Sequence, residues 1–443
     1  MTVDGLEPAV AHEYVVNAIK QDVTTGGHKA VVVDSPPGAG KSTFVVDVAA
    51  DLRESATIPI VAQTNAQADD LVRKLRTNHP DLTVGRLYGS TYPELEEGPE
   101  LLVSKNVDDL HACNVIVATG AKWGYVDAVK YPVGIIDEAY QMRSDQLLYV
   151  ADLFDRGLFV GDPGQLDPFT PADDSRWRGQ PDGPVSPAVA TVLHNHPDSP
   201  VHRLPVSWRL SSNCAPLVSE SFYPAMPFRA GSNPTERALA AGVDADGSGV
   251  DEAIDVALDR GWAYLELPHA VVPTTDTEAI EALVQSAIRC MQRQIEATDS
   301  PGDDGRVAGS RIAVGVVHRD QRAVAQTALD RAGEEQGIDV SQITVDTANR
   351  LQGREYHIVL VLHPLSGRAA ASEFHLETGR LCVLMSRHRH ACIVVSRAGV
   401  AELLDDHPMS APIWIGAPIP VPDGWEANQA VIDALNEYRV ATG

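Results

Sequence analysis

The chain has 443 residues, 44% of them hydrophobic and 22% charged, a composition typical of a soluble globular protein long enough to bury two hydrophobic cores. Its formal net charge of −26 argues against a protein that coats nucleic acid through a broad basic face, although a narrow basic channel would be compatible with this charge. The alternative explanation of the acidity is solubility, or adaptation of the source to salt or to a GC-rich genome. No apolar run approaches the ~20 residues of a membrane span, and five single cysteines without CxxC spacing favour a reducing cytoplasm over a disulfide framework or a zinc site.

The strongest local pattern is the segment AVVVDSPPGAGKST at residues 30–43. Its apolar run does not alternate, which predicts a buried parallel strand, and the glycine-rich turn leads into an apolar helix that begins at Lys41. This is the context of a phosphate-binding P-loop, in which backbone N–H groups face the anion, Lys41 adds positive charge and Ser42 can ligate Mg²⁺. Ser35 stands at the first glycine position of the motif. The residues expected to bind the nucleotide are Pro37, Gly38, Ala39, Gly40, Lys41, Ser42 and Thr43.

A second buried strand is predicted over residues 58–62, with Thr64 and Asn65 at its carboxyl end, where open α/β sheets bind ligands. Both residues are also favoured helix N-caps, and the two roles can coexist. Residues 77–112 are polar and rich in turn signals, so we expect them to run over the surface. A further apolar strand is predicted over residues 115–118 and is followed by Thr119.

Two carboxylates stand at the tip of the next predicted strand, in the segment VGIIDEAY at residues 133–140. Buried charges are costly there unless they have partners or a function. The functional interpretation is that Asp137 holds Mg²⁺ through water and Glu138 orients or deprotonates an attacking water, while the alternative is a helix N-cap pair. The segment GLFVGDPGQL predicts another strand and a turn, from which Gln165 could reach a γ-phosphate.

The second half of the chain repeats the alternation of buried strands and helices. Residues 171–200 predict a loop between two lobes, and the acidic, small-residue-rich stretches 230–260 and 296–310 predict surface insertions or flexible loops. A helix is expected over residues 278–291. A second sheet is implied by apolar runs at residues 312–317, 343–345, 358–362 and 392–395.

The order of these segments resembles that of superfamily 1 helicases, and their spacing favours the 1B branch, which includes nonsense-mediated-decay-type helicases. The first half contains counterparts of helicase motifs I, Ia, Ic, II and III in SPPGAGKST, QTNAQADDL, VIVATG, IIDEAY and VGDPGQL. The second half contains counterparts of the later motifs in VHRLPVSWRL, IAVGVVHRDQ, TANRLQGREYH and GRLCVLMSRHRHACIVVSR. Generic P-loop ATPases lack VGDPGQL, which makes that segment the most discriminating.

The resemblance implies roles for individual residues. Trp208 would stack on the adenine and Arg209 would reach the γ-phosphate. Gly353 would allow close backbone approach and Glu355 would bond the ribose hydroxyls, while His357 stands where the family often has an acid. Arg387 would act as an arginine finger, a group that supplies on the order of 10³–10⁵ in rate. The residues expected along the nucleic-acid strand are Thr64, Asn65, Thr119 and Thr347.

The fold expected from the resemblance is α/β, with two tandem RecA-like P-loop domains whose parallel sheets are flanked by helices. The expected boundaries are residues 1–200 for the first lobe, 201–403 for the second and 404–443 for a Pro-rich tail with a short helix. The resemblance covers residues 30–400 with few inserts, which suggests a minimal two-lobe motor core.

The implied function is that of an ATP-dependent helicase or single-strand translocase that uses ATP and Mg²⁺ and moves on single-stranded DNA or RNA. The alternative is a regulatory ATPase switch subunit that signals to protein partners in a nucleic-acid-processing complex without unwinding, which the acidic charge and the lack of a visible strand-separating wedge favour. A small-molecule kinase shares the P-loop but would leave the later motifs unexplained.

Overall fold

A computed structural model describes residues 5–53, 56–90, 95, 100–127, 129–168, 170, 175–177, 183–233, 235–272, 275–299, 305–407 and 422–442. The chain divides into two compact units. The first contains Met1–Pro163 and Asp167–Pro205, and the second contains Gly164–Leu166, Val206–Pro412 and Val421–Gly443. Within the described ranges, no helix combines the length and the apolar character that crossing a membrane requires.

The first unit is built on one parallel sheet. Its described strands lie in the order β4-β3-β5-β2-β6-β7-β1-β8, and every neighbouring pair runs in the same direction. In chain order the elements are α1 (Pro8–Thr25), β1 (Ala30–Asp34), α2 (Lys41–Leu52), β2 (Ile58–Ala62), α3 (Asn65–Asn78), β3 (Val84–Leu87), β4 (Leu101–Ser104), β5 (Val115–Thr119), α4 (Gly120–Trp123), β6 (Tyr131–Asp137), α5 (Ser144–Val150), β7 (Phe154–Gly161), α6 (Ala188–Asn195) and β8 (Val201–Arg203).

Both faces of this sheet are covered, which explains why its strands are continuous apolar runs. One face packs against α2 and α3 through side chains such as Val45 and Leu71. The other face packs against α4, α5 and α6, with Trp123 and Val189 in that cluster. Polar residues of the first unit therefore lie at the carboxyl ends of the strands, which the helices do not cover.

The expectation of a surface excursion over residues 77–112 is corrected by β3 and β4. All residues of β3 are buried, and the strand pairs with β4 on one side and with β5 on the other. Arg86 lies inside β3 with 1% exposure, and its Nε donates to Asp69 at 2.7 Å. A four-residue strand that contains Gly85 and a buried arginine has no continuous apolar pattern, so hydrophobic periodicity does not predict it.

The second unit also has a parallel sheet, in the order β16-β15-β17-β18-β12-β19. The expected fold class of two parallel sheets flanked by helices is therefore confirmed. Its elements are β9 (Val206–Ser207), α7 (Ala215–Phe222), β10 (Arg229–Ala230), β11 (Ala238–Ala240), α8 (Gly249–Arg260), β12 (Trp262–Leu267), α9 (Thr277–Gln292), β13 (Glu296–Thr298), β14 (Gly305–Arg306), β15 (Ile312–Val316), α10 (Arg319–Gln336), β16 (Thr344–Thr347), α11 (Ala348–Leu351), β17 (Tyr356–Leu362), α12 (Glu373–Leu376), α13 (Thr378–Met385), β18 (His388–Arg397), α14 (Val400–Asp405), α15 (Gly424–Leu435) and β19 (Arg439–Ala441).

Two segments expected to be surface insertions are part of the packed structure. The stretch 230–260 ends in α8, which begins at the N-cap Ser248 and buries Ile254 in the core of the second unit. The stretch 296–310 supplies β13 and β14, which form a small antiparallel sheet with β11, although residues 300–304 lie outside the described part. Acidic composition predicts surface loops only where no apolar stripe recurs, and α8 has one.

The C-terminal segment is not separate from the second unit over its described residues 422–442. Strand β19 pairs in parallel with β12, and α15 buries Val431 and Leu435. Strand β12, which was not predicted either, lies between β18 and β19. The boundary expected after residue 403 therefore does not coincide with an edge of the compact unit.

Replacing a core side chain of α8 tests its burial. We expect Ile254→Ala to cost about 2–5 kcal/mol, since it removes a side chain that is 1% exposed and leaves a cavity. Thermal unfolding followed by circular dichroism would show a midpoint several degrees lower. The control Val243→Ala, at a side chain 40% exposed, should leave the midpoint unchanged, and equal effects of the two variants would contradict a packed α8.

Candidate functional site

The turn between β1 and α2 has the geometry of an anion site. Gly38 and Gly40 adopt left-handed conformations with φ of +75° and +81°, which only glycine adopts without strain. Gly40 precedes α2 and places no side-chain cap on it, so the first N–H groups of the helix are left to an external acceptor. Pro37 and Ala39 are buried in the turn, and Ser42 and Thr43 lie in the first turn of α2.

Lys41 lies in a mixed-charge cluster with the two carboxylates at the end of β6. Its ammonium pairs with Glu138, and both side chains are at least 85% buried. Burial opposes the charged form, but Glu138 and Asp137 outweigh it and raise the pKa of Lys41, so the ammonium persists. Burial raises the pKa of Asp137 to about 6, against the attraction of Lys41. The cluster therefore has the charges that phosphate and divalent-cation chemistry needs.

Glu138 is held in an uncommon backbone conformation. Its φ is +54°, a region that costs a non-glycine residue energy unless its surroundings compensate. The N–H of Glu138 donates to Asp137 Oδ1 at 3.0 Å, and Gln141 Nε2 donates to Glu138 Oε2 at 3.1 Å. These bonds fix both carboxylates at the strand end. A simple helix N-cap pair does not account for them, because α5 begins only at Ser144.

Sequence reasoning missed Asp34, the last residue of β1. Its carboxyl group is fully buried beside the P-loop, where the Tyr140 hydroxyl donates to Oδ1 at 2.6 Å and Arg203 Nε lies 3.8 Å from Oδ2. Burial raises the pKa of Asp34 to about 7, although Tyr140 and Arg203 both lower it. The sequence signal that could have identified Asp34 is an acidic residue at the end of the apolar run of β1. The next residue, Ser35, is also buried, and its N–H donates to Gly161 O at 2.8 Å.

Three of the residues expected to contact nucleic acid lie at neighbouring strand ends. Thr119 ends β5 and pairs in register with Ala62 of β2, two residues before Thr64. Thr64 caps α3 by accepting from Gln67 N, and Thr119 caps α4 by accepting from Lys122 N. The capping alternative offered for Thr64 and Asn65 is therefore realised at Thr64, while the cap at Thr119 was not predicted.

Asn65 is oriented by a residue that sequence reasoning did not single out. Its Oδ1 accepts from Nη2 of the buried Arg86 at 3.0 Å, and the same guanidinium bonds Asp69 and the carbonyl of Leu87. The acceptor of the amide is thereby occupied, and its donor N–H groups are the part that can meet a phosphate oxygen.

The second unit contains a cluster of arginines around two acids, Glu355 and Asp299. Arg209 Nε and Arg389 Nη1 donate to the two oxygens of Glu355 at 3.2 and 3.0 Å. Arg389 also forms a bidentate pair with Asp299 at 2.7 and 2.8 Å, and Arg237 Nε reaches the same carboxylate at 3.2 Å. Burial by itself would raise the pKa of Glu355, but Arg209 and Arg389 outweigh it and hold that pKa below its usual range.

Arg387 belongs to the same cluster. It is 1% exposed, its Nη2 donates to Ser386 Oγ at 3.0 Å, and Arg209 Nη1 donates to the Ser386 carbonyl at 3.1 Å. Burial lowers the pKa of the nearby His357 and His390 to about 4, so both are neutral at pH 7. Four guanidinium groups and two carboxylates give the cluster a net charge of +2 in a chain of −26.

Asp299 is the centre of this cluster, and composition placed it in a surface loop. Its side chain is 1% exposed, and His357 Nδ1 and His390 Nε2 lie 3.9 and 3.8 Å from Oδ2. The three residues could form a metal-ligand set by distance. Both carboxylate oxygens, however, already accept from guanidinium groups, so arginine supplies the counter-charge.

The remaining expected residues of the second unit have other surroundings. Trp208 is 37% exposed and packs against Gly231, where any side chain would collide with its ring. Gly353 has a φ of +79°, and no atom lies within 4 Å of a Cβ added there. The left-handed turn therefore explains the glycine, whereas close approach of a neighbouring group does not. Gln165 Oε1 accepts from Gln352 Nε2 at 3.2 Å. Thr347 is buried at the end of β16 and makes no side-chain cap on α11.

Two family models match the chain. One, described as an AAA domain, matches residues 17–173, and another, also described as an AAA domain, matches residues 189–399. A comparison with curated proteins finds no match.

Among solved structures, the chain is similar to arterivirus nonstructural protein 10 (helicase), with a TM-score of 0.45, 13% identity and coverage of 89% of this chain and 63% of that one. The complex of that arterivirus helicase with DNA gives a TM-score of 0.45, 14% identity and coverage of 85% and 61%. The PRRSV helicase gives a TM-score of 0.42, 14% identity and coverage of 87% and 54%. The chain thus spans less than two thirds of the length of these helicases.

The two AAA-domain matches and the P-loop geometry define the class of the protein. It is a P-loop protein with two parallel sheets, and two segments of it match models of an AAA domain. The 1B branch is a finer assignment than these matches make.

The raised pKa of Asp34 predicts a pH-dependent effect of Asp34→Asn. In the unfolded chain this carboxyl group ionises near pH 4, whereas in the folded protein its pKa is about 7. Its contribution to stability is therefore complete below pH 4 and is lost as the pH rises through 7. The variant cannot ionise there, so its stability relative to wild type should rise by on the order of 2 kcal/mol between pH 5.5 and 8.5.

Urea unfolding at the two pH values measures this difference. Asp127→Asn, at an exposed aspartate of the same unit, is the matched control and should show no pH-dependent gain. A gain that is the same at both pH values would contradict an ionisation equilibrium at Asp34.

Proposed function

We propose that the protein is an ATP-dependent helicase or single-strand nucleic-acid translocase of the superfamily 1B type, with a minimal two-lobe core. The observation that supports it most is the presence, on one chain, of an uncapped P-loop helix with Lys41 between two carboxylates and of an arginine cluster with a net charge of +2. The order of nine helicase-like segments supports the coupling of ATP turnover to nucleic acid. The five cysteines are buried and form no disulfide, which suits a reducing cytoplasm.

In the first unit, the P-loop amides and Lys41 bind the phosphates of ATP. Ser42 and Asp137 are hard oxygen donors, the kind that Mg²⁺ prefers, and they fit that ion as its ligands, Asp137 through water. When bound, Mg²⁺ neutralises charge on the phosphates. Glu138 orients and deprotonates the attacking water, which requires its carboxylate to exchange the Lys41 ammonium for that water.

In the second unit, Arg209 and Arg387 stabilise the charge that develops on the transferred phosphoryl group. Their planar guanidinium groups suit bidentate contact with phosphate. Trp208 supports the adenine by stacking, and Gln165 reports the loss of the γ-phosphate. Glu355, together with the turn at Gly353, bonds the ribose, and it also holds Arg209 in place through the 3.2 Å contact.

The nucleic-acid strand contacts polar residues at the carboxyl ends of parallel strands. Thr64, Asn65 and Thr119 do so in the first unit and Thr347 in the second. Hydroxyl and amide groups bond phosphate oxygens, which makes binding largely independent of base sequence and sensitive to salt. The step that moves the strand is driven by ATP binding and hydrolysis.

A regulatory ATPase switch is the second candidate, and the net charge of −26 favours it, since it disfavours extensive phosphate contact. Such a switch would turn over ATP and bind protein partners without unwinding. A duplex-unwinding assay combined with partner capture separates the two functions, because only the motor separates strands without another protein.

Stimulated ATP hydrolysis tests the proposed function directly. We expect wild-type turnover to rise several-fold with single-stranded DNA or RNA in a panel that also contains both duplexes. Glu138→Gln should retain ATP binding and lose turnover by about 10²-fold or more, because it removes the general base. The control is Glu252→Gln, at an exposed glutamate of α8. Absence of stimulation by every nucleic acid would refute the motor, and normal turnover of Glu138→Gln would refute the catalytic assignment.

Removal of Arg209 tests the arginine cluster. Arg209→Ala should lower kcat by about 10²–10³-fold with a change in KM below about threefold, because the guanidinium acts on charge that develops only during phosphoryl transfer. Arg209→Lys should restore little, since a point charge does not replace the planar fork. Arg331→Ala, at an arginine side chain 59% exposed, serves as control. A rise in KM at constant kcat would assign Arg209 to ground-state binding instead.

A further inference from the structure

The outer strands of the first sheet carry a surface that none of the expected motifs includes. Strands β4, β3, β5 and β2 are neighbours in this order and are parallel, so their carboxyl ends lie side by side. Leu87 of β3 pairs with Ser104 of β4, and the residues that follow them are Tyr88 and Lys105. Along the same edge lie Thr119 at the end of β5 and the residues after β2.

Aromatic and basic side chains are interleaved on this edge. Lys105 Nζ lies 5.4 Å from the centre of the Tyr88 ring, a cation–π arrangement. Lys122 follows Thr119 and its Nζ donates to the carbonyl of Lys105 at 2.8 Å, which joins the ends of β5 and β4. We name the group Tyr88, Lys105, Lys122, Tyr125 and Tyr149 the outer-strand surface.

Two of its tyrosines are far more exposed than core packing would allow. Tyr125 is 84% exposed and Tyr149 is 70% exposed. Gly124, the residue before Tyr125, lies against Tyr149, since a Cβ added to it would lie 3.0 Å from Tyr149 Cβ. Exposed tyrosine rings near two lysines have the chemistry that suits a ligand with flat apolar faces and negative charge.

The lysines bring positive charge to this surface, where Asp109 also accepts from Ser104 Oγ at the end of β4. The protein has only seven lysines and a net charge of −26, yet Lys105 and Lys122 lie in contact here. Positive charge on an acidic body guides a polyanion to one place and leaves the rest of the surface repulsive. The polyanion with flat bases along its backbone is a single-stranded nucleic acid.

We propose that the outer-strand surface binds single-stranded nucleic acid, with the lysines on phosphates and the exposed tyrosine rings stacked on bases. The proposal rests on the proposed function and extends its phosphate-contacting row, Thr64, Asn65 and Thr119, outward over β3 and β4. Three strand spacings of about 4.8 Å make this edge about 14 Å long, which exceeds the rise of about 3.4 Å between stacked bases and holds more than one nucleotide.

Arg86 connects the two parts of the row. It lies in β3, which is separated from β2 by β5, and its guanidinium holds the side-chain oxygen of Asn65 at 3.0 Å. The Asn65 oxygen is thereby occupied, and its amide N–H groups are the part that can bond a phosphate oxygen. A phosphate on Asn65 and bases on the tyrosines are then successive contacts of one strand.

Fluorescence anisotropy with a labelled 30-nucleotide oligo-dT and a matching oligo-U measures the effect. We expect Tyr125→Ala and Tyr149→Ala each to raise Kd by about 5-fold or more, since a stacked base is worth about 1–3 kcal/mol. The matched control is Tyr14→Ala, at a tyrosine of α1 that is 50% exposed, which should leave Kd unchanged. Because both tested rings are exposed, thermal midpoints should match wild type.

Salt dependence separates the lysines from the rings. Lys105→Ala should reduce the slope of log Kd against log salt by about 0.7, the value for one phosphate contact on a single strand, and Tyr125→Ala should leave the slope unchanged. Lys130→Ala, at a lysine 61% exposed on the same unit, is the control.

Failures of the two proposals are distinguishable. If wild type binds the oligonucleotides and its ATPase responds to them, but the tyrosine variants bind equally well, the outer-strand surface is refuted while the proposed function stands. If wild type binds no single strand and its ATPase does not respond, the proposed function itself is refuted. Loss of affinity in Tyr14→Ala equal to that in Tyr125→Ala would also overturn the surface, since the effect would not be local.

Discussion

Parallel strand pairing is the constraint on which both units depend. Strands that run in one direction need helical crossovers, the helices cover both faces of the sheet, and only the strand ends are left for polar residues. In the first unit, β6, β7 and β1 are neighbours, so Asp137 and Asp34 are held two strands apart by main-chain hydrogen bonds. Main-chain hydrogen bonds between the strands thus determine where each functional side chain of the first unit lies, although these side chains take no part in those bonds.

The polar clusters of the two units carry an excess of opposite charge. In the first, buried carboxylates at the strand ends outnumber the single ammonium of Lys41, and burial raises the pKa of Asp34 and Asp137. Such a cluster gains from a divalent cation and from an anion on the helix N-terminus. In the second, the arginines outnumber Glu355 and Asp299, and the surplus positive charge is suited to phosphate.

Buried charges with a positioning role occur in both units. Arg86 pairs with Asp69 and holds Asn65, while Asp299 pairs with Arg389, which in turn holds Glu355. A buried ion pair contributes little net stability, because the cost of removing both charges from water offsets their attraction. What it supplies is orientation: a guanidinium group held by one acid fixes the next side chain that it contacts. Arg86 and Asp299 both lie in segments whose composition indicated surface loops.

Much of the protein follows from the amino-acid sequence, because local patterns carry the information. Strand, glycine turn and Lys41 identify the P-loop, and continuous apolar runs predict most strands of both sheets, since a strand covered on both faces contains few polar residues. What depends on long-range contacts could not be derived. Strands β3, β12 and β19 are defined by the neighbours that they pair with, and Asp34 and Asp299 by the environment that buries them. The outer-strand surface is defined by residues brought together from distant parts of the chain. Tertiary structure alone decides these, because burial and pairing are properties of neighbours that are remote in sequence.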